Sequence, residues 1–408
     1  MASPTPPPAT RLLHIATILL VIAMFAKIVE FALLLPTLGA QGTLVDFDAF
    51  YIVGRLFWEG RIAAAYDVRV MAEIQNALVG HEGFMPWTYP PQFDLIALSL
   101  PALPRGIAYA LFTGLTLAAY LAVLARLAGP ALLWVLIALA PALYVALTIG
   151  QNAFLTGALI GLFCVLSLRG SALAGVPLGL LVIKPHLGIG LTAHALAKGR
   201  WAVIGWALAV TIVSSALATW VLGVDIWAAF LAGAEQAGAA LRTDFYPLFR
   251  MTSIYAALQS LGVPPGVALW VQGAVGLGAM ALILLAVRRG LPPNQTLALA
   301  GFTAALISPY LYDYDMVVIG VALALIAADL RARTGILDRA VLLGLLWVAG
   351  GWGMVHALLN AGLAWQERAA IARDTLSYGA FAYLIALALI ARILRRPARA
   401  QAFPPRHP

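Results

Sequence analysis

The chain has 408 residues, 63% of them hydrophobic and only 10% charged, with a mean hydropathy of +0.94. A soluble domain carries about 25% charged residues, so this composition excludes a water-soluble enzyme, a nucleic-acid binder and a disordered chain, and leaves an integral membrane protein. The net charge of +8 then reads as an orientation signal in a bilayer, and the one cysteine, Cys164, excludes an intramolecular disulfide framework or a cysteine-based metal cluster.

A membrane-crossing helix needs roughly 20 apolar residues. Taken in chain order, stretches that fit run over 12–36, 106–125, 131–148, 152–168, 201–222, 265–287, 294–309, 313–330, 337–359 and 374–391. The first is too long to be a removable signal and lacks a small-residue cleavage pattern, so it reads as a retained span. The Pro-rich start over 1–11 and the basic end over 395–408 read as disordered cytoplasmic tails. Residues 171–197 behave differently. They are apolar but broken at Lys184-Pro185-His186, with Arg169, Lys198 and Arg200 near their ends. Each half is about a dozen residues, roughly 18 Å of helix, too short to cross. The segment therefore predicts a re-entrant pair of short helices with the Lys-Pro-His turn at its tip, a break tolerated where it is buried in protein or lines a wet cavity. The predicted fold class is an all-α polytopic membrane protein.

Positive charge favours the cytoplasmic side. With the N-terminus inside, fifteen basic residues fall inside and eight outside, while Lys27 and Lys184 stay within the membrane. Lys27 and Glu30, three apart on one helix face, predict a pair. The other acids concentrate in the outer loops, and topology alone does not require this. The layout keeps residues 92–103 along the outer surface rather than across the bilayer.

Two outer loops are long, 37–105 and 223–264. In the first, VDFDAFYIVGRLFWEG places Phe47, Phe50, Phe57 and Trp58 at near-helical spacing. That predicts an interfacial helix from Ala49 to Trp58 with its apolar face among lipid headgroups. Asp48 is placed to cap it; Asp46, two residues earlier, has no such task. After Tyr66-Asp67 and a polar helix to about Val79, Tyr89-Pro90-Pro91 imposes an extended return to the membrane. Gly150-Gln151-Asn152, Asp244 to Ser253, and Ser308 to Asp315 lie on the same face. Tyr310, Tyr312 and Tyr314 suit an interfacial aromatic belt; the acids beside them, Asp313 and Asp315, do not follow from one.

A membrane-facing cavity with one carboxylate, several cations and aromatics suits sugar transfer from a lipid phosphate. An acceptor hydroxyl loses its proton as it attacks the anomeric carbon, and a positioned carboxylate, Asp46, takes it. Cations stabilise the leaving phosphate. Lys184 leads here, because a lone ammonium at a helix break is costly unless it meets water or an anion; His186, Arg55 and Arg250 share the role. Aromatic faces such as Trp58, Trp87 and Tyr89 stack on sugar rings, and Tyr51, Gln151, Asn152, Tyr310 and Asp313 complete the sugar or acceptor contacts. Broken helices also mark transporters and lipid flippases, and a scaffold without chemistry is a third reading.

DFDAFYIVGRLFWEG resembles the D-F-x-x-Y-Y-x-x-G-R…G opening of the family 87 glycosyltransferases. YPPQFDLIALSLPALP, GQNAFLTGALIGL, AGVPLGLLVIKPHLG and MTSIYAALQSLG are similar to further family motifs, in the family's order, over roughly residues 45–330. The resemblance implies a GT-C-type bundle of about 10–12 membrane helices forming one domain over 12–394. It implies a polyprenyl-phosphate sugar as donor, mannose first among hexoses, and inversion at the anomeric carbon. The acceptor would be a lipid or glycan at the outer face of the plasma membrane, with Asp46 as base and no cofactor or metal. Where members often carry Ser-Pro-His, this chain has Ser308-Pro309-Tyr310, so that histidine's role passes to Tyr310, His186 or an arginine, or is lost.

Overall fold

Apolar segments with no water to bond their backbone fold as helices, because a helix satisfies its own amides. The computed structural model describes residues 8–80, 85–241, 246–363 and 365–398; among them helices joined by turns and short extended segments make up the fold, with one isolated bridge, Met251 to Tyr312, in place of any strand. The N-terminal part contains α1 (Pro8–Leu34), α2 (Asp46–Trp58), α3 (Val68–Val79), α4 (Pro91–Ala97), α5 (Arg105–Ala128), α6 (Leu132–Ala138), α7 (Ala140–Ile149) and α8 (Ala153–Leu168). The middle contains α9 (Gly175–Leu180), α10 (Pro185–Ala197), α11 (Trp201–Leu222), α12 (Ile226–Ala240), α13 (Ile254–Ser260) and α14 (Pro265–Arg288). The last part contains α15 (Pro293–Ile307), α16 (Ile319–Arg333), α17 (Ile336–Leu359), α18 (Trp365–Asp374) and α19 (Gly379–Leu394).

Five helical runs, Arg11–Leu34, Arg105–Ala138, Trp201–Leu222, Pro265–Arg288 and Ile336–Leu359, are long and apolar enough to cross a membrane. The protein is an all-α polytopic membrane protein. Around its centre, α16 is buried from Ile319 to Ala327 and ringed by α5, α8, α15 and α19. Leu33, Ile212, Trp220 and Trp270 project outward from α1, α11 and α14, the apolar exterior that lipid requires. Residues 1–7 and 399–408 of the expected tails lie outside the described residues, and α1 already begins at Pro8.

The break at Lys184 has a clear structural result. Arg200 Nη1 and Nη2 donate to the carbonyls of Ser167 and Ser171 at 3.1 and 2.9 Å, so the start and finish of the 171–197 segment meet at one end. Gly175 and Gly179 of α9 face Val203 and Ala207 of α11 in parallel order. His194 and Gly190 of α10 face Thr296 and Ala300 of α15 in antiparallel order. The pair therefore enters and returns at the same side, with Lys184 (φ −143°, ψ 73°) at its tip.

Three expectations are corrected. The stretch 131–148 is not one helix: α6 ends before Leu139 and α7 carries Pro141 in its first turn. Proline has no N–H for the carbonyl four residues back, and the Trp347 indole donates to that carbonyl, Ile137, at 2.7 Å instead. The helix predicted over 49–58 starts at Asp46, and most of its apolar face is turned into the protein. Its apolar residues Phe47, Phe50, Val53 and Leu56 are buried against α4 and the turns around it, not in lipid. Asp48 is consequently its third residue rather than its cap, although its Oδ2 accepts the Val45 N–H at 2.8 Å. Residues 91–102 form the seven-residue α4 and a 3-10 turn, too short to span. Lys27 donates to Glu30 at 2.7 Å, as their spacing requires.

Candidate active site

One polar cavity, of about 170 Å³, gathers residues from five separate stretches of chain. The N-terminus of α2 supplies Asp46, the segment before α4 supplies Trp87 and Tyr89, and the α7–α8 turn supplies Gln151. Tyr246 and Arg250 come from before α13, and Tyr310, Tyr312 and Tyr314 from before α16.

The α7–α8 turn reaches Asp46 because of Gly150. Its φ of +65° suits glycine, and a Cβ there would lie 2.7 Å from Phe47 Cβ and 2.8 Å from the Tyr109 ring. That close approach lets Gln151 Nε2 donate to Asp46 Oδ2 at 2.7 Å. Gln151 Oε1 accepts from the Tyr89 hydroxyl at 2.7 Å and from the Asn152 backbone N–H at 2.8 Å. Asp46 itself is partly buried. Burial raises its carboxyl above the ordinary range, opposed by Arg250, the Gln151 hydrogen bond and Lys184. This proton affinity suits a base that must capture a hydroxyl proton and then release it.

Opposite Asp46 stand two ion pairs. Arg250 Nε and Nη2 contact Asp313 Oδ2 and Oδ1 at 3.2 and 3.0 Å. Lys184 Nζ contacts Asp315 Oδ1 at 2.8 Å, with both groups buried. Two hydrogen bonds to the backbone set this geometry: the Thr252 N–H donates to the Leu311 carbonyl at 2.8 Å, and the Ser377 hydroxyl donates to the Met251 carbonyl at 2.6 Å. Gly353 of α17 closes against the Arg250–Asp313 pair, where any Cβ would collide with the Asp313 carboxylate. The rings of Tyr312 and Tyr314 stack 5.3 Å apart, with Arg250 5.5 Å from the first and Lys184 5.4 Å from the second.

A third buried carboxyl braces the wall. Asp94 accepts from the Tyr66 hydroxyl and the Trp87 indole at 2.9 Å each, and burial pushes it up to about 8. The Tyr66 hydroxyl, with a single proton shared between two acceptors, also lies 2.9 Å from the Tyr89 carbonyl.

Several sequence-predicted site residues stand elsewhere or differently. Tyr51 donates to the Leu103 carbonyl at 2.9 Å and does not line the cavity. Arg55 lies on the exposed end of α2, 3.8 Å from Glu59, because nine residues of helix carry it well away from Asp46. Trp58 is likewise exposed there and donates to the Leu98 carbonyl at 2.9 Å. Trp87 borders the cavity, but its indole is buried between Phe50 and Phe93. Lys184 and Asp313 are sealed in their ion pairs, His186 is partly buried beside Lys184, and none of the three lines the cavity. Asn152 is fully buried behind Gln151. Asp46, Tyr89, Gln151, Arg250 and Tyr310 do come together. Asp244 lies outside the described residues. Sequence reasoning missed the bracing role of Asp94 and the ion pair of Arg105 with Asp48, at 2.6 Å; the only available signals were an acid after Tyr-Pro-Pro and an arginine opening an apolar run.

The sequence model of glycosyltransferase family 87 matches residues 87–309, more than half of the chain, so the match covers Tyr89, Gln151, Lys184 and Arg250 but begins after Asp46. No curated protein and no solved structure matches the chain. A membrane-embedded helical bundle with a carboxylate, paired cations and tyrosines around one cavity accords with that match, and the chain belongs to glycosyltransferase family 87.

Proposed function

We propose that this glycosyltransferase moves a hexose, mannose first, from a polyprenyl-phosphate sugar to a hydroxyl of a lipid or glycan acceptor at the outer face of the plasma membrane. The carrying observation is Asp46, a carboxylate with raised proton affinity that opens onto a cavity shared with Arg250. The acceptor oxygen bonds to the anomeric carbon while its proton passes to Asp46. The bond from that carbon to the phosphate oxygen breaks on the opposite face, inverting the centre and leaving polyprenyl phosphate. Arg250 contacts Asp313 through Nε and Nη2, which leaves Nη1 for a phosphate oxygen; Lys184 adds positive potential from behind Tyr314 and Tyr89. This reading needs no divalent metal.

An apolar groove of about 910 Å³, bordered by Met24 of α1, Pro141 of α7 and Trp352 and Val355 of α17, suits a prenyl chain. Gly353 of α17 does not line this groove and instead touches the Arg250–Asp313 pair. Purified protein incubated with radiolabelled polyprenyl-phosphate mannose and a panel of lipid acceptors is expected to form a labelled product. Retention of all label on the donor with every acceptor, while another polyprenyl-phosphate hexose is consumed, would replace mannose. Consumption of none would remove the donor class.

A further inference from the structure

The surroundings of Gln151 distinguish the two oxygens of Asp46. A backbone N–H can only donate, so the Asn152 N–H, 2.8 Å away, fixes the facing Gln151 atom as Oε1. The Tyr89 hydroxyl occupies the second acceptor position of that oxygen at 2.7 Å. The amide cannot turn over without setting its NH2 group against the Asn152 N–H. Nε2 is therefore held toward Asp46, 2.7 Å from Oδ2, where it can donate but cannot accept.

We infer that Gln151 is a positioning residue for the proposed reaction, holding Asp46 Oδ2 as a permanent acceptor so that the acceptor's proton arrives on Oδ1. The inference rests on the assignment of Asp46 as base. Its logic is local. A carboxyl oxygen that accepts an N–H which can never reverse has one lone pair engaged and is the less basic of the two, so the arriving proton is favoured on the other oxygen. The same donor favours the ionised carboxylate between turnovers. The remaining groups that act on Asp46 are Arg250 and Lys184, which favour ionisation, and Asp313, which opposes it. Tyr89, Tyr310, Tyr312 and Tyr314 also interact with it electrostatically. Gln151 acts on it through a direct hydrogen bond.

Gln151→Glu supplies the test. Its carboxylate would keep both contacts on the Asn152 and Tyr89 side but present an acceptor to Asp46, raising that group's proton affinity. Activity requires ionised Asp46, so the acid limb of the kcat/KM profile is expected to move to higher pH by at least one unit. Gln151→Met, of similar length and without the donor, is expected to lower kcat at least tenfold while both KM values stay within twofold. An unmoved acid limb in the first variant, or parental kcat in the second, overturns the inference. If Gln151→Glu does not accumulate in membranes, Gln151→Met alone decides. Parental activity of Asp46→Asn would instead remove the base assignment itself, an outcome separable from either Gln151 result.

Discussion

Asp46 and Asp48 stand two residues apart on α2 and live in different chemical worlds. At 3.6 residues per turn they are separated by roughly 200° around the helix. One faces the cavity and is held by a neutral amide, Gln151. The other points into the protein, where Arg105 Nε lies 2.6 Å away and Arg105 Nη1 donates to the Leu35 carbonyl at 2.7 Å. A carboxylate sealed against its own arginine stabilises the start of α2; burial raises its proton affinity too, against the pull of Arg105, but it lies outside the cavity that Asp46 lines. A carboxylate facing a cavity, buried enough to hold a proton and without a bonded cation, is suited to exchange one. The helical phase divides an Asp-Phe-Asp motif into a chemical member and a structural member.

That division is open to direct attack. Asp46→Asn is expected to reduce sugar transfer about 10²–10⁴-fold, the range for a general base, with the amount of folded protein in membranes unchanged. Asp48→Asn is expected to do the reverse. It leaves a buried guanidinium without its counter-charge, which costs about 3–5 kcal/mol, so thermal unfolding in detergent moves down while the folded fraction still turns over. Equal activity losses per folded molecule in the two variants would erase the distinction. Lys184→Ala, which empties the tip of the re-entrant pair, is expected to raise KM for the donor by about tenfold, the worth of roughly 1.4 kcal/mol, and KM for the acceptor less. Parallel losses for both substrates would make the lysine a structural partner of Asp315 only.

Asp94 sharpens the comparison through pH. Its two hydrogen-bond partners are neutral, and burial holds its carboxyl at about 8, whereas an unfolded aspartate titrates near 3.9. Between those values the folded state keeps a proton that the unfolded chain releases, so stability declines as pH rises from about 4 to about 8. Asp94→Asn is expected to flatten that decline, measured as melting temperature against pH in detergent; an unchanged slope would assign it to other groups. The smallest effect is expected at Arg55. It is exposed and 3.8 Å from Glu59, and exposed pairs contribute about 0–1 kcal/mol, so Arg55→Ala should leave transfer within twofold.

Much of this was legible from residue order. Apolar run lengths specify an all-α membrane bundle because lipid leaves the backbone no other partner. The Lys184-Pro185 break specifies a turn because proline removes an N–H and its ring excludes helical backbone before it. Asp46 was distinguishable because no local structural role accounts for it. What residue order does not contain is the choice of partner for each charge. Lys184 meets Asp315 across 131 positions, Arg250 meets Asp313 across 63, and Arg105 meets Asp48 across 57. Lys184 led the candidates for a phosphate because it stands at a helix break, and residue order alone did not show that a carboxylate would meet it. Packing decided that Arg250 borders the cavity while Arg105 and Lys184 are sealed. It also turned α2 inward, since a stripe of phenylalanines is equally satisfied by lipid or by protein and only the neighbouring helices α4 and α5 determine which it meets. Local sequence governs backbone conformation, because φ, ψ and hydrogen-bond demand are short-range; the identity of a buried charge's partner is a long-range property that exists only once the bundle has closed.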